Sequence, residues 1–139
     1  MSWVAGYIGI PFKYNGVSPS GASCWGLCHL VLKEQAGIET PTYFEEGADK
    51  VLTAARMFKQ EVVEEVWHKT EAPRQFDCLL MTAITDGERA SRIPAHVGIM
   101  VNARQVMHVT EGSSTVIVPI THATIRSRIV GFYRHKDLL

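Results

Sequence analysis

Neither sign of charge predominates in this sequence. Fourteen lysines and arginines meet fourteen aspartates and glutamates over 139 residues, for a formal net charge of zero. The basic footprint that draws nucleic acid is missing, so no nucleic-acid partner is expected. Cysteine is scarce too: the three residues Cys24, Cys28 and Cys78 form an odd, unevenly spaced set that argues against a disulfide framework. No uninterrupted apolar run is long enough to span a bilayer, which argues against membrane insertion. No cationic segment followed by an apolar core opens the chain, so we expect synthesis in a bacterial cytoplasm without a signal peptide. Internal repeats, low-complexity tracts and linkers are absent as well. We expect one domain over residues 1–139, large enough to bury its own core.

What is present centres on Gly21-Ala22-Ser23-Cys24-Trp25-Gly26-Leu27-Cys28. A small, polar segment runs into a cysteine, and from Cys24 the residues Leu27, Cys28, Val31 and Leu32 recur at the spacing of one helical face. Ser23 is positioned to cap that helix. The Cys24 thiol then lies among unpaired amides at the positive end of the dipole, which favours the nucleophilic thiolate. Cys28 sits in the middle of the stripe and Cys78 in an apolar run, so both are read as core.

Helical spacing predicts a short helix over Ser2–Ile10, the nucleophile helix over Cys24–Ala36, ended by Gly37, and a further helix over Tyr43–Lys59. His29 and Lys33 fall off the apolar stripe and are expected in solvent. Strand signals follow at Val62–Trp67, Phe76–Met81, His96–Val101, Gln105–Val109, Thr115–Val118 and Ile129–Arg134, with a long polar loop over Thr82–Pro94. Helices first and a meander of strands afterwards mean an α+β fold with an antiparallel sheet of about five to six strands.

A thiolate nucleophile needs a base, and the base needs an orienting group. Two of the six histidines lie on strands where they can be presented: His96 and His108. Val97, Ile99 and Val101 share a core-like face, whereas His96 shares its face with Gly98, whose missing side chain leaves room for an imidazole or a substrate. Both imidazoles reach one face only if paired residue numbers on the two strands sum to an even value. A three-residue loop Asn102-Ala103-Arg104 meets that demand, placing His108 opposite Gly98 and diagonal to His96. The other histidines, His29, His68, His122 and His135, are expected at the surface or rim. A zinc site from Cys24, Cys28, His96 and His108 is argued against by the helical Cys-x-x-x-Cys spacing and by the core position of Cys28. No metal or other cofactor is expected.

These motifs, in this order, resemble the NlpC/p60 family of papain-like cysteine peptidases. Gly9-Ile10-Pro11-Phe12 is similar to the family's G-x-P-Y/F segment, Gly21-Ala22-Ser23-Cys24-Trp25-Gly26-Leu27 to its G-x-D-C-S/W-G-L motif, and His96-Val97-Gly98-Ile99 to its H-V-G-I signature. Phe76–Leu80, Val106–Val109 and Val130–Arg134 resemble its remaining strands. The resemblance implies a papain-like fold with Cys24 as nucleophile, His96 as general base and His108 as its orienter. It implies peptidoglycan stem peptides as substrate, met along Ser23, Trp25, Phe12, Tyr14 and Gly98. Many members carry Asp and Ser around the cysteine and a tyrosine at the position of Phe12. Here Trp25 is expected to wall the cleft or pack beneath it, and Tyr14 to replace the missing hydroxyl or to pack. The C-W-G-L form most resembles versions from tailed phages and gene-transfer particles. That implies a virion component acting at the periplasm or cell wall beside other tail-tip proteins, with a structural adapter of little activity as the alternative.

Overall fold

Ser23 and Gly37 set the limits of the main helix, α1 (Cys24–Ala36). The Ser23 hydroxyl accepts from the Gly26 amide at 2.9 Å, satisfying one orphan donor of the first turn. Gly37 takes a left-handed conformation (φ +68°) and returns its amide to the Leu32 carbonyl. The computed structural model describes residues 2–42, 65–82 and 94–139. The expected helix Tyr43–Lys59, residues 62–64 of the expected strand Val62–Trp67 and the interior of the loop Thr82–Pro94 lie outside the described residues.

Two short strands, β1 (Val17–Ser18) and β2 (Gly21–Ala22), form a hairpin ahead of α1. Six more strands build one antiparallel sheet in the order β3 (Trp67–Thr70), β8 (Ile129–His135), β4 (Cys78–Thr82), β5 (Pro94–Met100), β6 (Gln105–His108), β7 (Val116–Pro119). The α+β expectation holds. The helix expected over Ser2–Ile10 is only a 3-10 turn over Trp3–Gly6. Tertiary pairing overrides the rest: Gly9 and Phe12 donate to Thr115 and Ser113 at 3.0 Å each, and Thr115 donates back to Ile10 at 2.8 Å. The strand expected from Phe76 starts instead at Cys78, because Phe76 is left-handed (φ +72°) and the buried Asp77 is tied by Arg134 at 2.7 Å.

One face of the sheet packs on α1, with Leu27, Cys28, Val31 and Leu32 against Cys78, Leu80, Val97 and Ile99. Each such side chain withdrawn from water contributes about 1.5–3 kcal/mol. The opposite face is buried as well: Leu79, Met81, Met100 and Val106 pack under Ile125 of a one-turn helix, α2 (Ala123–Arg126). His122 caps α2 through its ring nitrogen. Among the described residues no helix is long and apolar enough to cross a membrane.

Candidate active site

The nucleophile's position is built from small residues. The Ser23 amide donates to the Gly16 carbonyl at 3.1 Å, and a Cβ at Gly26 would collide with that same carbonyl. The first turn of α1 can therefore lie flat on the backbone of Gly16 only because position 26 is glycine. Ser23 is spent on capping, which leaves the amides of Cys24 and Trp25 turned toward the Cys24 sulfur. The Val97 amide, from β5, faces the sulfur as well.

Register explains why that amide is available. Val101 donates to the Gln105 carbonyl at 3.0 Å, and Ile99 pairs with Met107 and Met100 with Val106. Asn102 fixes the three-residue loop, its Oδ1 accepting from the amides of Arg104 and Gln105 at 2.8 and 2.9 Å. Alternate amides of β5 point toward β6, and Val97 is one of them. Yet the β5–β6 ladder stops at Ile99, so the strands have parted by Val97 and its amide meets sulfur instead of a carbonyl. The helix end from one face of the sheet thus reaches the backbone next to His96.

The same even register brings the two imidazoles together. His96 Nε2 and His108 Nδ1 lie 2.8 Å apart, with ring centroids 5.1 Å apart and planes inclined by 66°. Gly98 opposes His108: a Cβ there would stand 2.6 Å from Val106 Cγ2 and 3.2 Å from the His108 Cβ. The space at Gly98 is closed by Val106 Cγ2, the Met107 carbonyl and the His108 Cβ. His96 Nδ1 makes no hydrogen bond among the described residues, Nε2 being the nitrogen that meets His108.

Electrostatics correct one expectation. Cys24 is only 6% exposed, and burial, assisted by the neighbouring Cys28 sulfur, pushes its pKa up to about 11 despite three amides pulling it down. The resting group is a thiol, because desolvation outweighs the helix terminus. Burial likewise pushes His96 down to about 3, aided by His108 and the positive charge of Arg128. His108 is lowered by burial and then by Arg128. The pair rests as neutral thiol and neutral imidazole.

The expected substrate residues divide. Trp25 is buried, donates to the Pro41 carbonyl at 2.9 Å and packs edge-on against Trp67, so it lies in the core and walls no cleft. Ser23 acts as cap, and Gly98 accommodates His108. Phe12 is half-buried under Tyr14, their rings 5.0 Å apart, and Tyr14 is exposed with its hydroxyl facing Glu111. His29 and His135, expected at the surface, are buried: His29 bonds Thr40 at 2.9 Å and His135 stands edge-on to Trp67. Cys28 and Cys78 are core, as expected. Among the described residues no three His, Cys, Asp or Glu side chains converge as metal ligands. Arg128 was not foreseen. An arginine bordering an apolar strand ordinarily reads as solvated, and only the fold buries it beside the imidazoles.

The profile of the NlpC/P60 family matches residues 9–134. No curated protein matches the sequence. Among solved structures, a lipoprotein-like NLP/P60 family protein from Staphylococcus aureus superposes with a TM-score of 0.61 at 16% identity, covering 95% of this chain and 38% of that one. An NlpC/P60 family protein from Bacillus cereus gives 0.60 at 19% identity, covering 93% and 36%. The NlpC/p60 domain of the peptidoglycan hydrolase SagA gives 0.55 at 20% identity, covering 94% of each. The chain thus spans little more than a third of the first two proteins, and at these identities the likeness is one of fold.

Proposed function

The chain belongs to the NlpC/P60 family, and on that premise we propose that it is a cysteine peptidase hydrolysing peptide bonds in peptidoglycan stem peptides. The observation that supports the reading is made of two neighbours on β5: Val97, whose amide faces the Cys24 sulfur, and His96, whose Nε2 lies 2.8 Å from His108 Nδ1. Cys24 is the nucleophile, His96 the general base and His108 the residue that holds His96 in one tautomer, with the proton on Nε2. The SagA domain, named as part of a peptidoglycan hydrolase, shares this fold and supports the substrate class.

In acylation the thiol proton passes to His96 Nδ1 as the carbon–sulfur bond forms, so attack needs no preformed thiolate. The free amide of Cys24 at the helix terminus helps to hold the oxyanion. The imidazolium then protonates the departing amine, the C–N bond breaks and a thioester remains. Water, deprotonated by His96, cleaves the thioester to a carboxylic acid and restores the thiol. Digesting purified sacculi with wild type and with Cys24→Ala, and weighing the soluble fragments by mass spectrometry, tests this. We expect fragments with new peptide termini from wild type alone; identical digests would defeat the reading.

The setting at a phage-type tail tip rests on the Cys24-Trp25-Gly26-Leu27 form of the motif. Recovery of the chain in purified tail particles is its test. The intact Cys24, His96 and His108 favour the enzyme over an inactive adapter, which has no use for all three.

A further inference from the structure

Arg128 stands beside the imidazole pair and takes no part in the chemistry just described. Its place follows from one rung of the sheet: Ile129 pairs with Met81, and Met81 with His96. From the residue before that rung the side chain folds back over the end of β4. Nε donates to the Thr82 carbonyl at 2.9 Å, and Nη1 to the Thr124 carbonyl of α2 at 3.2 Å. Thr82 in turn donates its amide to the Arg128 carbonyl at 2.8 Å, so the guanidinium is held in one orientation.

Two features set it apart from a structural pin. The residue is 7% exposed, and among the described residues no carboxylate pairs with it. A buried cation without a counter-ion is costly, and burial lowers its pKa accordingly. Among the described residues only two of the guanidinium's five donors are used, and Nη2 has no partner there. The same corner holds Thr82 Oγ1, the one fully buried side-chain oxygen or nitrogen without a partner among the described residues. This corner is built to orient a cation, and among the described residues its charge is uncompensated.

We propose that Arg128 is a carboxylate-binding residue, its free Nη2 edge taking a free carboxylate of the stem peptide next to the scissile bond. The inference rests on the peptidase reading and names what that site recognises beyond the peptide bond. A planar guanidinium fixed at two donors presents the rest in the geometry a carboxylate matches. The incoming anion also supplies a charge that the described residues do not.

The test uses two synthetic stem peptides, L-alanyl-γ-D-glutamyl-diamino acid with the glutamate α-carboxyl either free or amidated. Wild type is expected to cleave the free acid about 10- to 100-fold more efficiently in kcat/KM, the range of one charge-assisted pair. In Arg128→Gln that preference should fall toward parity, and in Arg128→Lys it should be partly retained. A ratio of two substrates on one preparation does not depend on the fraction folded. Calorimetric titration of Cys24→Ala with the same two peptides reads the preference without turnover. Cleavage of both peptides at equal rates would overturn the carboxylate site and leave the peptidase standing. A preference unchanged in Arg128→Gln would reduce Arg128 to an anchor for Thr82 and Thr124. Tight binding of the free acid alone, with no cleavage of either, would uphold the site and overturn the peptidase.

Discussion

Cys24 is pulled in opposite directions by two effects of its own position. The helix terminus directs amides at the sulfur and favours the anion, whereas enclosure by the core disfavours any charge. Enclosure wins, with a pKa of about 11, and this governs reactivity in the free protein. Alkylation by iodoacetamide should be slow at pH 7 and rise about tenfold per pH unit toward pH 11, following the thiolate fraction. His96→Ala should scarcely alter that profile, because an imidazole pushed down to about 3 does not draw the proton at rest. Cys28 and Cys78, wholly enclosed, should label more slowly than Cys24 at every pH. Peptide mapping by mass spectrometry reads all three, and full labelling of Cys24 at pH 7 would mean that the thiolate exists in the resting enzyme.

The hairpin β5–β6 carries the site, and its geometry depends on the one missing side chain at Gly98. Gly98→Ala adds a methyl that meets Val106 and the Cβ of His108, so β5 and β6 must separate by several tenths of an ångström or His108 must turn away. We expect kcat to fall at least tenfold, with a loss of stability of about 1–3 kcal/mol, the ordinary cost of overpacking. Kinetics beside urea unfolding check it; activity retained alongside the destabilisation would mean that His108 is not needed in its place. This part of the fold was legible in advance, because a period of two with a polar turn leaves a single register that unites His96 and His108. The cap at Ser23 and the stop at Gly37 were equally readable, since each is a local interaction. What escaped is non-local. The segment after Trp3–Gly6 gives up helix to pair with residues one hundred positions away, and α2, four residues long, is too short to show a period. The burial of His29, Arg128 and His135 likewise depends on neighbours distant in sequence.

Taken together, the molecule encloses three histidines where burial disfavours their charge, and that choice has a pH signature. His96, His108 and His29 are all depressed below 6.5, in each case with burial as the largest cause. A histidine whose folded pKa lies below its unfolded value takes up a proton on unfolding. Its contribution is whole above about pH 6.5 and is lost as pH falls, for His96 down to about 3. Protonation of His96 would also set an imidazolium against His108 and the cation of Arg128, the other two causes of its depression. The protein should therefore lose stability steadily between pH 6.5 and 4. His96→Gln removes one of these groups, so its stability should fall less steeply over the same interval, although it starts lower for want of the bond to His108. The gap in melting temperature between wild type and His96→Gln should narrow with each step of acidification. A gap that stays constant from pH 7 to pH 4 would mean that His96 is charged to the same extent in the folded and unfolded chain, and the neutral pair at the parted strands would be wrong.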